Sequence, residues 1–151
     1  MSSKIKQFNI RVYGLCLNAK NEVLITDEFR LGMDMTKFPG GGLDFGEGTL
    51  DCLRREFKEE LDREISNIRH FYTTDYFQPT HLLGTPQQLI SIYYRADIRQ
   101  TDTISVAKKR FDFGKIDGAQ TFRWLPLQQA SLEEMTFPID KKVMGMLISA
   151  L

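Results

Sequence analysis

The chain reads as an α/β protein in which a mixed sheet is covered by helices on two faces. Three observations lead there. Segments rich in β-branched and aromatic residues recur at Phe8 to Leu17, Glu22 to Phe29, Ile65 to Phe77, Gln88 to Ile98 and Phe122 to Leu127. Two other segments, Thr49 to Leu61 and Pro138 to Leu151, repeat their apolar residues at helical spacing. No repeat, low-complexity tract or linker interrupts the 151 residues, so residues 1–151 are expected to form one domain.

Taken in order, the first two strand-like segments are separated by the turn-like stretch Asn18 to Asn21 and read as a hairpin. A long loop follows and ends in Phe38-Pro39-Gly40-Gly41-Gly42. Thr49 is expected to cap the first helix, and Leu50, Leu53, Phe57 and Leu61 to form the face that meets the sheet. The next two strands are joined by a loop containing Pro79, Gly84 and Pro86. Residues 100–118 are polar and irregular and contain Lys108-Lys109-Arg110. A short strand then leads to the closing helix, with Val143, Met146, Leu147 and Leu151 on one side.

Bulk properties exclude several classes of protein. A chain of this length buries roughly two thirds of its unfolded surface and needs no disulfide to fold. With 20 basic and 20 acidic side chains there is no global field to attract a nucleic acid or a membrane surface, and neither partner is expected. Cys16 and Cys52 form no disulfide framework, and with only His70 and His81 beside them they form no zinc pattern. Any catalytic metal must therefore be held mainly by oxygen. The start MSSKIKQFNI lacks the apolar core of a signal peptide, and no apolar run is long enough to span a bilayer. A cytoplasmic location is expected.

The first helix carries most of the chemistry. Beside its apolar stripe, Glu56, Glu59 and Glu60 share one flank at spacings i, i+3 and i+4. Like charges so placed cost an isolated helix roughly 0.2–0.5 kcal/mol per i,i+4 pair. A divalent cation reverses that sign, and magnesium or manganese prefers such hard oxygen ligands. Ahead of the helix, Gly40 and Gly41 allow the backbone to approach a metal or a phosphate. Glu47 suits the positive end of the helix dipole, and Arg55 is placed to pair with it.

These residues resemble the Nudix box, G-x5-E-x7-R-E-U-x-E-E-x-G-U, where U is a bulky apolar residue. Gly41, Glu47, Arg55, Glu56, Phe57, Glu59 and Glu60 stand in register. Asp62 replaces the last glycine and Arg63 the last apolar residue; Asp62 can still end the helix, because Asp tolerates the left-handed conformation. The stretch Phe38 to Gly42, the strand Phe122 to Leu127 and the Pro-started last helix are similar to the family as well. The resemblance implies the Nudix α/β/α sandwich and a pyrophosphohydrolase. It implies magnesium, or manganese, held by Glu56, Glu59, Glu60 and the backbone of Gly41, with many relatives being homodimers.

On that basis a metal-polarised water attacks phosphorus and the anhydride breaks. Glu59 or Glu60 serves as base, or a carboxylate outside the box does; Asp117 is the first choice there, ahead of Asp112 and Asp102. Arg55 completes the catalytic set. Substrate is expected to meet Gly40 and Gly41, to stack on Tyr76 or Phe77, and to offer phosphate or sugar oxygens to Arg30, His81 and Arg95. The favoured substrate is a nucleoside diphosphate linked to another moiety, of the ADP-ribose or nucleotide-sugar type. The alternatives are a nucleoside triphosphate or dinucleoside polyphosphate, and a nucleotide-sensing domain without turnover. An isomerase on the same fold would need a reactive cysteine, whereas Cys52 is expected to face the packing side of its helix.

Overall fold

The computed structural model describes residues 4–80, 82 and 84–151. The α/β class is as expected, but the strands divide between two sheets, and the chain forms two compact units, Met1–Gly14 with Gly40–Asp97 and Leu15–Pro39 with Ile98–Leu151. The elements are β1 (Phe8–Leu15), β2 (Glu22–Arg30), β3 (Met33–Lys37), β4 (Gly40–Gly42), α1 (Thr49–Leu61), β5 (Ile65–Thr73), β6 (Pro79–Thr80), β7 (Gln87–Ile98), β8 (Ala119–Pro126) and α2 (Pro138–Ser149).

In the first unit the sheet runs β4-β1-β7-β5, with β6 on β7. The helix α1 packs against β4 and β5. Its buried stripe is Cys52, Leu53 and Phe57, while Leu50 is exposed and Leu61 half-buried. Leu50 sits in the first turn, where the helix projects beyond the core. A side chain on Gly14 of β1 would stand 2.6 Å from the ring of Phe57, so glycine is what lets that ring lie flat on the strand. Burying such a ring stabilises by about 1.5–3 kcal/mol. On the other side of β1, Tyr13 stacks on Tyr93 of β7 with ring centroids 5.2 Å apart.

Helix ends follow local chemistry. Gly48, not Thr49, is the residue before α1, and Asp51 Oδ2 accepts its N–H at 2.9 Å. Thr49 instead shares a 2.6 Å hydroxyl–hydroxyl bond with Tyr94. At the far end Asp62 adopts φ 53°, ψ 43° and donates its N–H to Lys58 O, so the aspartate does end the helix in the left-handed conformation.

In the second unit β2 is central, pairing antiparallel with β3 and with β8. The expected hairpin closes only at its tip, where Leu17 bridges Val23; beyond it β1 and β2 belong to different sheets. The expected long loop before the glycines instead contains β3. Leu31 and Gly32, both with positive φ (54° and 75°), turn the chain so that Arg30 faces Met33, which is the two-residue turn that a twisted hairpin favours. The closing helix α2 buries Ile139, Asp140, Val143, Met144 and Leu147; Met146 is half-buried and Leu151 exposed, which moves the apolar face from the one expected. No helix among the described residues is long and apolar enough to cross a membrane.

Candidate active site

The three glycines that looked like a flexible loop form β4, an edge strand on β1 with Val12 opposite Gly41. Gly40 has φ 150°, and a side chain there would run into Val12 O. At Gly41 the obstacle is the carboxylate of Glu56. An added Cβ would stand 2.5 Å from its Cδ and 2.7 Å from its Oε2. Only a residue without a side chain lets Glu56 press against this backbone.

Arg55 organises the rest. Its guanidinium donates to both oxygens of Glu47 at 3.0 and 2.8 Å, to Glu56 Oε1 at 2.9 Å, to Glu59 Oε2 at 3.3 Å and to the Gly42 carbonyl at 3.0 Å. Asp44 stands 3.4 Å away. Cys52 supports the same turn by donating its Sγ–H to Gly42 O at 3.4 Å. The loop is thus tied to the helix by one planar five-donor cation, which a lysine could not replace. The pairing of Arg55 with Glu47 is the one anticipated from sequence; the roles of Asp44 and Cys52 were not, because neither belongs to the box.

The electrostatic consequences are concentrated on the clamp. The hydrogen bond from Arg55, followed by the Asp44 backbone N–H, lowers the Glu47 carboxyl to about 2. The hydrogen bond to Glu47 in turn holds the Arg55 guanidinium above its ordinary range. Burial, with the charge of Glu47 beside it, pushes the Cys52 thiol up to about 12. Burial thus favours the thiol of Cys52 over the thiolate that nucleophilic attack or metal ligation would need.

One guanidinium faces four carboxylates, those of Asp44, Glu47, Glu56 and Glu59, and cannot neutralise them. Glu60 adds a half-buried acid one residue on. Among the described residues no three Asp, Glu, His or Cys side chains already converge as a metal cage. Arg55 bridges Glu56 and Glu59 and so keeps them on a cation of its own. The donors still fit a hard divalent ion. All are oxygens, Glu56 is seated against Gly41, and Glu59 is more than half exposed. Magnesium in phosphate chemistry typically takes only one or two carboxylates and completes its shell with water and substrate oxygens.

The remaining candidates are dispersed. Tyr76 and Phe77 lie in the loop after β5, both exposed, because β5 ends at Thr73 rather than Phe77. Half-buried Arg95 is on β7. Arg30 and Asp117 belong to the second unit: Arg30 is exposed at the end of β2, and Asp117 Oδ1 accepts the Leu31 N–H at 3.0 Å, holding the β2–β3 turn. Asp102 lies in a short 3-10 helix, Asp112 stands 3.9 Å from Lys109, and Arg110 is engaged by Thr36 and the Glu134 carbonyl. His81 falls outside the described residues.

Comparison with known proteins bears on this arrangement. The family model of the NUDIX domain matches residues 7–146, running through both units. An RNA pyrophosphohydrolase of Ruthia magnifica subsp. Calyptogena magnifica is 43% identical over 51 residues, which is 34% of this chain and only 27% of that protein. Among solved structures, a NUDIX hydrolase from Nitrosomonas europaea superposes with a TM-score of 0.67 at 16% identity, covering 95% of this chain and 90% of that one. MutT from Methanosarcina mazei Go1 gives 0.63 at 18% identity, with 96% of each chain covered. The glycine strand, the arginine clamp and the acidic helix are thus the box of a known fold: the chain belongs to the Nudix family.

Proposed function

We propose that this enzyme hydrolyses, with magnesium, the phosphoanhydride of a nucleoside diphosphate linked to a second moiety, an ADP-ribose or a nucleotide sugar being the favoured type. The carrying observation is the excess of carboxylate over guanidinium at Arg55, next to a glycine strand on which Glu56 rests. Glu56, Glu59, Glu60 and the backbone of Gly41 would hold the ion. A bound divalent cation supplies Lewis-acid stabilisation of the charge that develops on the phosphates and a more acidic water. Glu56 is kept in place by Gly41 and Arg55. Glu59, held by a single 3.3 Å contact and largely exposed, is free to turn and accept the proton of the attacking water. Arg55 fixes the loop so that the carboxylates keep their spacing when substrate arrives.

A second reading has one specific support, the short match to an RNA pyrophosphohydrolase. Under it the anhydride is the 5′-terminal pyrophosphate of an RNA. A panel of ADP-ribose, nucleotide sugars, dinucleoside polyphosphates, nucleoside triphosphates and 5′-triphosphorylated RNA, assayed with magnesium and again with chelator, separates the readings. Turnover of the linked diphosphates is expected to lead and to vanish on chelation. Preference for the RNA would move the assignment to that substrate, and magnesium-independent turnover would remove the metal from it.

A further inference from the structure

Arg95 is a half-buried cation for which the described residues supply no anion. Its Nε is buried and has no hydrogen-bond partner among the described residues, and no ion pair reaches its guanidinium there. The acid nearest along the strand, Asp97, shares its face of β7 but is taken by Asn67 at 3.0 Å and Arg69 at 3.5 Å. Tyr93, two residues back on that same face, is fully buried and stacked on Tyr13. The preceding residue on that face is thus a buried aromatic ring. Removing a charged group from water without a partner is costly, and a guanidinium retained at such a place is explained if a ligand completes it. Its fork of donors matches the oxygens of a phosphoryl group in two-pronged fashion.

We propose that Arg95 is an anion-recognition residue that receives a phosphoryl group on the face of the sheet turned away from α1. That orientation follows from strand alternation: the neighbouring Tyr94 is the residue whose hydroxyl meets Thr49 of α1, so Arg95 points to the opposite side. The phosphoryl group belongs either to the substrate or to free phosphate, and the two sources share the same chemistry at the guanidinium. The inference does not depend on which linked diphosphate the enzyme cleaves.

The test uses the whole chain with chelator present and inorganic pyrophosphate as probe, read by thermal melting, so that no turnover is needed. The parent protein is expected to melt higher with pyrophosphate. Arg95→Met is expected to melt no lower than the parent when unliganded, since an unpaired cation has been removed, and to lose the pyrophosphate-induced rise. Arg95→Lys keeps the charge without the fork and should retain only part of the rise. With substrate and magnesium, Arg95→Met raises KM about tenfold or more with little change in kcat if the anion is the substrate's, the pattern for loss of uniform binding. If the source is free phosphate, KM stays put and only phosphate stabilisation is lost. A parent that shows no rise with pyrophosphate overturns the proposal. So does Arg95→Met that melts lower than the parent yet keeps the full rise, which would make Arg95 a packing residue.

Discussion

Two ion-pair networks sit in this molecule, one in each unit, and they are balanced differently. In the second unit Asp27, with none of its surface exposed, receives Arg123 at 2.5 and 3.1 Å, the Thr36 hydroxyl at 2.7 Å and the Phe111 N–H at 3.4 Å. Arg123 reaches on to Glu134 at 2.8 Å, and Arg110 closes the ring by donating to the Glu134 carbonyl and the Thr36 hydroxyl. Arg123 meets both acids there, Arg110 adds a second cation through the Thr36 hydroxyl and the Glu134 carbonyl, and every oxygen of Asp27 is used. In the first unit one arginine meets four acids, and the outer ones face solvent. A neutralised network holds a structure together. A network left negative leaves room for a further cation, and that difference is why the proposed chemistry is assigned to the first unit.

The largest effect expected from breaking this contrast is on turnover. Glu59→Gln or Glu60→Gln should lower kcat by at least about 10³-fold, equal to roughly 4 kcal/mol of barrier, with circular dichroism and melting unchanged. Full activity in both variants would end the assignment of those carboxylates to the metal and the base. Asp27→Ala should act on stability instead, costing about 3–5 kcal/mol in denaturant titrations because it removes the buried one of the two carboxylates that pair with Arg123. If Asp27→Ala unfolded at the parent's denaturant concentration, the network would not be the tie described above.

Gly41→Ala comes next. Its Cβ would overlap the Glu56 carboxylate, so Glu56 must swing away from β4, and kcat should fall by about 10²-fold, in line with the sensitivity of rates to small misplacements. Steady-state kinetics at saturating magnesium checks this, since extra metal would rescue a defect of affinity alone. The smallest effect concerns pH. The Glu47 carboxyl is lowered from 4.5 to about 2, so its contribution is complete above its unfolded value and is lost as pH falls through about 2. The loop–helix clamp should therefore persist between pH 4.5 and 2 while ordinary carboxylates protonate, which carboxyl-carbon NMR titration of Glu47 would follow. A midpoint near 4.5 would show that Arg55 does not hold it in solution.

Much of the site was readable before any fold was known, because its parts are local. Glu56, Glu59 and Glu60 share a flank through helix geometry alone, and Arg55 reaches Glu47 across a loop only eight residues long in sequence separation. The exit at Asp62 was legible for the same reason, since backbone preference belongs to the residue itself. What failed were judgements that depend on distant partners. Leu50 is apolar and correctly spaced, yet it is exposed while Cys52 in the same turn is fully buried, so the covered face is centred on Cys52, Leu53 and Phe57. Residues 33–42 look like loop because glycines and a proline dilute the strand signal; they become strands only because β1 and β2 lie open to pair with them.

The sequence alone determined the family resemblance and the acidic helix, because those follow from residue identity at short spacing. Tertiary structure decided that Glu56 rests on Gly41, that Cys52 is buried beneath the turn with its thiol on the Gly42 carbonyl, and that Asp117 holds a hairpin. Each of these depends on which backbone approaches which side chain across a fold, a distance that spacing along the chain does not encode.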